Sequence, residues 1–312
     1  MSGPRAKAIR RREQTRFVSC SLPLAGHWKL DTVTVPIESP LFVVAAQYSL
    51  GLYVSGMVEA NRVLERSGMQ TDWLGDYVSM SSSAMGERNT RHDVLLGAWH
   101  TTAQHGLSSP VSKCFKGNPA NPAQVAAAEQ AAAGLNVGHI PDFGARGAAR
   151  NGCHLVGEVK CYSCMVPSSP GSGSQGGIGL VGATRALGNT EEGLIRVNTG
   201  WPERGHGSAC TFDHATGAGH VAAVKGLYDD CIRVKRNTLL LLVSETFGGV
   251  NGVAVRFLTR LAHKASTCCD EVYLDRRGHV VPFFVYHAGA ISRAAAVGHA
   301  KVIYRQAYIL PR

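Results

Sequence analysis

Two carboxylates and one lysine in the middle of the chain have the residue types and the spacing for metal-assisted hydrolysis of a phosphodiester. Asp142 follows Pro141, fifteen residues separate Asp142 from Glu158, and Lys160 comes two positions after Glu158. Carboxylate oxygens are the ligands that Mg²⁺ prefers, and the bound ion polarises a phosphoryl oxygen and activates a bound water. A lysine beside the ion orients that water or stabilises the charge that develops.

The residues that must position Glu158 and Lys160 show the alternation of a β-strand. Leu155, Val159 and Cys161 fall on one face of this segment, together with Gly157. Glu158 and Lys160 share the other face, because side chains two positions apart in a strand point the same way. The sequence therefore predicts that the acid and the lysine project side by side.

Asp142 lies at the end of a second predicted strand. The apolar run 137–140 comes just before it, and residues 144–152, rich in Gly, Ala and Arg, predict the loop to the next strand. Pairing of the two strands would bring two carboxylates and one ammonium group to one point. The alternative is that Glu158 and Lys160 form an exposed cross-strand pair and that Asp142 is a turn residue.

The pattern of Pro141 and Asp142 followed by Glu158 and Lys160 resembles the PD-(D/E)xK nuclease superfamily, which includes restriction-type endonucleases. The resemblance implies an α/β fold whose mixed central sheet is flanked by helices, a restriction endonuclease-like core, here with a helical N-terminal accessory segment. It also implies that Asp142 and Glu158 bind Mg²⁺ or Mn²⁺ and that Lys160 is the catalytic lysine.

A third metal-binding acid is implied by the same resemblance. In this superfamily a helix before the first core strand can contribute an additional carboxylate. The alanine-rich residues 124–133 predict such a helix, and Glu129 is its only acidic residue. Glu129 is therefore a candidate ligand, and the alternative is a glutamate that faces solvent.

A narrower resemblance, over residues 40–305, is to the C-terminal region of eukaryotic non-LTR retroelement polyproteins. In those proteins Gly-Asp and then Arg-His-Asp precede a restriction-like endonuclease domain, and here Gly75 and Asp76 precede Arg-His-Asp at residues 91–93. The resemblance implies a retroelement-derived DNA endonuclease. The Cys and His zinc ligands that such elements place before Arg-His-Asp are absent from residues 78–84, so no zinc knuckle is expected.

His92 and Asp93 also have a structural explanation. Residues 91–105 predict a helix that ends at Gly106, with Arg-His-Asp at its start. An aspartate in the first turn of a helix caps backbone N–H groups and interacts favourably with the helix dipole. The two residues are therefore predicted to be capping and surface groups, and the alternative is that they are catalytic.

The charge of the chain favours a polyanionic partner. Of 312 residues, 45% are hydrophobic and 17% are charged, which are values of globular proteins, and the formal net charge is +10. Nucleic acid, with DNA favoured by the resemblance, is the predicted partner, although many soluble proteins are also basic. The sequence leaves the oligomeric state open.

Two basic segments are candidate phosphate contacts. The arm at residues 1–16 is predicted to be disordered and either binds phosphates, directs the chain to the nucleus or is a solvated tail. The predicted helix 252–264 carries arginines opposite its apolar face, and this stripe either follows a phosphate backbone or is a solvated surface. The candidate residues are Arg10, Arg11, Arg12, Arg256 and Arg260.

Nine cysteines, an odd number in a long chain, predict reduced thiols in an intracellular compartment, since no secretory signal is recognised. No apolar run approaches the about 20 residues of a membrane helix, so no membrane partner is expected. Structural zinc is not expected either, because Cys161 and Cys164 form only half of a zinc pattern. The imaginable further ligands are His206, Cys210 and His214.

Periodicity and composition divide the chain into four parts. They are a basic arm (1–16), a mainly helical accessory region (17–120), the nuclease-like core (121–265) with a Gly/Ser-rich insertion at 167–215, and a C-terminal strand and helix (266–312). Apolar periodicity predicts helices at 41–68, 91–105, 217–233, 252–264 and 288–303, and strands at 239–245 and 280–286.

The insertion contains the spacing of a dinucleotide-binding fingerprint, at Gly171, Gly173 and Gly176. Pro167 and Pro170 interrupt the strand that this fingerprint requires, so the segment is predicted to be a flexible insertion. A nucleotide-binding enzyme would need a helix that begins at this loop. The sequence therefore predicts first a metal-dependent DNA endonuclease, and second an inactive nuclease-fold module that binds nucleic acid or a protein partner.

Overall fold

The computed structural model of the chain describes the following residues: 23–25, 27, 37–50, 52, 54, 63–64, 69–70, 85–113, 141–149, 152–162, 191–201, 204–205, 220–268 and 271–309. They form a mixed α/β structure with helices and a mixed sheet. The chain divides into two units. The first comprises Met1–Ser108, Val159–Gly188 and Leu242–Arg312, and the second comprises Ser109–Glu158 and Asn189–Leu241.

The helices of the described residues are α1 (Ser39–Leu50), α2 (Met85–Gly106), α3 (residues 191–199), α4 (Gly252–Cys268) and α5 (Phe283–Tyr304). The strands are β1 (Val63–Leu64), β2 (Met69–Gln70), β3 (Val111–Lys113), β4 (Phe143–Ala145), β5 (Leu155–Tyr162), β6 (Gly200–Trp201), β7 (Arg204–Gly205), β8 (His220–Val221), β9 (Val224–Lys225), β10 (Thr238–Glu245), β11 (Tyr273–Leu274) and β12 (Val280–Val281). Two π-helical turns span Asp230–Val234 and Arg305–Ile309.

A four-stranded sheet with the order β10-β5-β4-β3 carries the predicted chemistry. Strands β3, β4 and β5 are antiparallel neighbours, with Phe143 opposite Gly157. The backbone N–H of Thr238, at the start of β10, donates to the carbonyl of His154, just before β5, at 2.9 Å. Because β5 and β10 begin at the same end, they run parallel, and the sheet is mixed as predicted.

The predictions for the two long strands are confirmed. The structure places β5 over the same residues as the sequence pattern, and β10 begins one residue before the predicted start and ends at Glu245. The last six residues of β10 are all buried, which agrees with an apolar run covered on both faces. Helix α4 also confirms its amphipathic pattern, because Phe257, Leu258 and Leu261 are buried.

Two predictions beside the sheet are wrong, namely that residues 144 and 145 lie in a loop and that residues 217–233 form a helix. The described strand beside Asp142 is β4, which follows the acid, whereas residues 137–140 lie outside the described residues. The predicted helix at 217–233 is instead β8 and β9 followed by a π-helical turn. Valines at 221 and 224 favour extended backbone, and both short strands find antiparallel partners in β7 and β6.

Three helix boundaries also differ from the predictions. Helix α1 ends at Leu50, and residues 63 and 64 of the predicted 41–68 helix form β1, which pairs with β2 just after that range. Helix α2 begins at Met85, so Arg-His-Asp at 91–93 is inside the helix and not at its first turn. Helix α5 begins at Phe283, because Pro282 has an extended backbone (φ −60°, ψ 147°) that ends β12 and starts the helix.

The helices of the first unit pack around α5. Helices α1, α2 and α4 all contact it, and α2 also contacts α4. One apolar cluster joins α1 to α5 through Tyr48, whose ring stacks on Phe247 with centroids 5.0 Å apart. Among the helices that the structure describes, none is long and apolar enough to span a bilayer.

Candidate active site

Glu158 is a buried carboxylate on β5, in the part of the strand that belongs to the second unit. Its side chain is 4% exposed, and its Oε2 accepts a hydrogen bond of 2.8 Å from the hydroxyl of Tyr228. Val156, two positions earlier on the same face of β5, forms a small apolar cluster with Tyr228 and Cys231. The face of β5 that carries the acid is therefore covered by the segment that contains Tyr228.

Asp142 is held against the residue that precedes Glu158. Its backbone N–H donates to the carbonyl of Gly157 at 3.1 Å, and its side chain is half-buried. The next residue, Phe143, lies opposite Gly157, and a Cβ built on Gly157 would be only 2.1 Å from the Phe143 ring. Glycine at this position leaves the space for the aromatic ring, and the ring fixes the start of β4 beside Asp142.

The two carboxylates act on the same hydroxyl. Burial is the largest cause that raises the pKa of Tyr228, followed by the charge and the hydrogen bond of Glu158 and then by the charge of Asp142. Asp142 therefore lies within electrostatic range of the hydroxyl that Glu158 accepts from. Tyr228 therefore remains a neutral donor at physiological pH, with both carboxyl groups within electrostatic range of its hydroxyl.

Lys160 lies two positions after Glu158 on β5 and is half-buried. Alternate residues of a strand project from the same face, so the ammonium group follows the carboxylate along that face. Leu155 and Val159 are buried on the other face, and Val156 is buried on the face of Glu158, so both faces of this part of β5 are covered.

The donor set fits a hard divalent cation. Two carboxylates offer oxygen ligands, and a ligating carboxylate is ordinarily held by a hydrogen bond such as that from Tyr228. Within the described residues no group of three or more His, Cys, Asp or Glu side chains is arranged for metal binding. Mg²⁺ needs no larger protein cage than one or two carboxylates, because it keeps several waters.

Tyr228 is the member of this site that the sequence analysis missed. The tyrosine was assigned to the apolar stripe of a helix, whereas it lies after β9 in a turn attached to the end of α3. Its backbone N–H donates to Asn198 at 2.8 Å, and the N–H of Leu227 donates to Val197 at 3.1 Å. No local signal in the sequence indicates that this hydroxyl reaches Glu158.

Arg-His-Asp at residues 91–93 divides into one buried and two surface side chains of the first unit. Arg91 is 7% exposed, its Nη1 is 3.4 Å from Nδ1 of His299, and it packs against Gly298. His92 and Asp93 contact each other at 3.3 Å on the surface of α2. The prediction of surface groups is confirmed for these two, although they do not cap the helix.

Cys161 belongs to the same unit as Arg91. Burial raises the pKa of the Cys161 thiol, the charge of Glu245 raises it further, and the guanidinium of Arg91 opposes both. The thiol therefore stays protonated, which makes Cys161 a poor zinc ligand or nucleophile. Cys164 and the imagined further zinc ligands lie outside the described residues.

Of the predicted phosphate-binding residues, Arg256 and Arg260 are exposed on α4, opposite its buried face. The remaining predicted site residues and the glycine fingerprint lie outside the described residues; they are Arg10, Arg11, Arg12, Glu129, Gly171, Gly173 and Gly176.

Comparison of the chain with models of protein families, with curated proteins and with solved structures finds no match.

Proposed function

We propose that this chain is a metal-dependent endonuclease that hydrolyses DNA phosphodiester bonds and derives from a retroelement. Its core would be of the restriction endonuclease-like type, and its place of action would be the nucleus. The observation that carries the proposal is that Asp142 is bonded through its backbone to Gly157, the residue before Glu158, while Glu158 accepts from the Tyr228 hydroxyl. Paired carboxylates followed by a lysine on the same strand supply what metal-assisted phosphodiester hydrolysis requires.

In this mechanism Asp142 and Glu158 hold Mg²⁺ or Mn²⁺, which supplies Lewis acidity toward the phosphate. Tyr228 donates to Glu158 and keeps the carboxylate in one orientation. Lys160 orients the attacking water or stabilises the charge that develops on the phosphate. The net charge of +10 favours approach of the polyanionic substrate.

The test is nicking of supercoiled plasmid by the purified protein with Mg²⁺, with Mn²⁺ and with EDTA. The variants are Asp142→Asn and Lys160→Ala, and the matched control is Asp93→Asn, which removes an exposed carboxylate on α2. We expect metal-dependent nicking that falls at least about 100-fold in both site variants, as for loss of a catalytic group. Nicking that survives both substitutions would refute the assignment.

A second candidate function is a module that binds nucleic acid without cutting it. The burial of Glu158, which is 4% exposed and already accepts from Tyr228, favours this candidate, because a structural carboxylate needs no access to a metal. Salt-sensitive DNA binding by the wild-type protein, with no nicking under either metal, would support the module over the nuclease.

A further inference from the structure

Residues 233–236, with the sequence Arg-Val-Lys-Arg, form a solvent-exposed basic turn in the second unit. Three of these four side chains are cationic, and all four are exposed. Val234 at the centre of the turn is 72% exposed, so the turn projects away from the sheet. We refer to residues 233–236 as the basic turn.

Both ends of the segment that carries the basic turn are tied to β5. At one end, Tyr228 donates to Glu158 at 2.8 Å. At the other end, Asn237 is buried, and its Oδ1 accepts from the backbone N–H of His154, just before β5, at 3.1 Å. The N–H of Asn237 also donates to the carbonyl of Cys231 at 2.9 Å, which closes the segment on itself.

These contacts make the basic turn a fixed projection of the strand that carries Glu158. A charged turn held at both ends loses little conformational entropy when it binds, because its backbone is already ordered. The same segment supplies Tyr228, whose hydroxyl donates to Glu158, so one short stretch of chain carries the cations and contacts one carboxylate of the acidic site.

The charges in the basic turn are only partly neutralised. Arg233 forms an ion pair of 2.7 Å with Asp229, one helical turn before it. Neither Lys235 nor Arg236 makes an ion pair within the part of the chain that the structure describes. Arg236 has a φ of 55°, in the left-handed region that few residues other than glycine and asparagine adopt. The exposed charge of Arg236 is therefore held on a backbone conformation that is unfavourable for arginine.

We propose that the basic turn binds the phosphate backbone of a nucleic-acid strand and so holds the substrate of the acidic site. The proposal rests on the proposed nuclease function for the identity of that site, and it adds the residues that hold the substrate. Lysine and arginine contacts to phosphate carry no base information, so the contact is independent of nucleotide sequence.

The experiment measures binding in EDTA, where cleavage does not occur. Fluorescein-labelled duplex DNA, single-stranded DNA and single-stranded RNA of one sequence are titrated by anisotropy over a series of salt concentrations. The variants are Lys235→Gln and Arg236→Asn, the latter because asparagine tolerates the left-handed backbone. The matched control is Arg305→Gln, which removes an exposed arginine after α5.

Each variant of the basic turn is expected to weaken binding about eightfold at about 0.1 M salt and to reduce the steepness of the logarithmic salt dependence by about 0.9. The control is expected to keep the wild-type salt dependence. The probe that binds most tightly identifies the kind of strand. Equal effects in the variants and in Arg305→Gln, or no binding of any probe by the wild-type protein, would overturn the proposal.

A second measurement needs no variant. Bound polynucleotide is expected to slow acetylation of Lys235 in the wild-type protein, as measured by mass spectrometry, and unchanged acetylation would also count against the proposal. Because both assays are made in EDTA, their outcome is separate from that of the nicking assay. A chain that binds through the basic turn and does not nick would retain the phosphate-binding role of the turn, and would lose both the nuclease and the assignment of the bound strand as its substrate.

Discussion

The hydroxyl of Tyr228 donates a hydrogen bond of 2.8 Å to Oε2 of Glu158, although the two residues are 70 positions apart in the chain. Both groups are buried, and neither can recover a water partner if the other is removed. This contact joins the turn after β9 to the central strand β5. Tyr228 therefore helps to fix the orientation of the candidate catalytic glutamate.

Replacing Tyr228 with phenylalanine is expected to lower the free energy of unfolding by about 1.5–3 kcal/mol, because a buried carboxylate loses a charge-assisted hydrogen bond. Urea titration followed by fluorescence or circular dichroism measures the change. Tyr308→Phe, at a side chain that is 47% exposed, is the control and is expected to change stability by less than about 0.5 kcal/mol. Equal stability of wild type and Tyr228→Phe would contradict the role of the bond.

Substitution of Gly157 tests how the start of β4 is held beside Asp142. A Cβ at this position would lie 2.1 Å from the ring of Phe143, so Gly157→Ala is expected to displace the ring and to destabilise the protein by about 1–3 kcal/mol. Gly97→Ala in α2 is the matched control, because no atom lies within 4 Å of its added methyl group. The control is expected to be neutral or to stabilise by about 0.5–1 kcal/mol, as alanine favours a helix over glycine.

The same pair of variants separates crowding from backbone entropy. If Gly157→Ala and Gly97→Ala had the same effect on thermal unfolding, the packing of Phe143 on β5 would not be what requires glycine at position 157.

His287 gives the first unit a pH-dependent stability. Burial, and secondarily the charge of nearby His105, lowers the pKa of His287 to about 3. Oγ1 of Thr102 donates to the carbonyl of Ala98 at 2.8 Å, so it accepts from Nδ1 of neutral His287 at 3.0 Å. In the unfolded chain the pKa of this histidine is about 6.5. At a pH between the two pKa values, the histidine is therefore protonated in the unfolded state and neutral in the folded state, so acidification favours unfolding.

We therefore expect the contribution of His287 to be fully present above about pH 6.5 and to fall as the pH is lowered toward 3, by about 2 kcal/mol between pH 7 and pH 5. His287→Asn keeps a donor near Thr102 without titrating in this range, and it should remove that part of the pH dependence. His263→Gln, at an exposed histidine of α4, should leave it unchanged. Unfolding curves that respond to pH identically in wild type and His287→Asn would disprove the assignment.

The Arg-His-Asp segment of α2 is expected to give unequal effects when its members are changed one at a time. Arg91→Met should destabilise the protein by about 1–3 kcal/mol, because Arg91 is buried and contacts His299. His92→Asn and Asp93→Asn should change stability by less than about 0.5 kcal/mol, since their mutual contact is on the surface. Thermal unfolding of the three variants measures these changes in stability. Equal destabilisation by all three substitutions would contradict the distinction between a buried Arg91 and a surface pair of His92 and Asp93.

The elements predicted best are those whose patterns agree with their surroundings. Strand β5 was predicted over its full length and β10 to within one residue, because the period of a strand is a local property and because the continuous apolar run of β10 matches the burial that the sheet imposes. The segment 217–233 was predicted wrongly, because valines at helical spacing also suit short strands. Pairing with β6 and β7, which the sequence does not reveal, decides between the two.

The sequence by itself determined the chemical types in the candidate site and the shared face of Glu158 and Lys160, since the period of a strand is a local property. Only the tertiary structure decided that Asp142 is held against Gly157, and that Tyr228 reaches Glu158. Those contacts join residues far apart in the chain, and they depend on strand register and on the path of a turn. Neither leaves a periodic signal in the sequence, because both follow from how separate segments pack together.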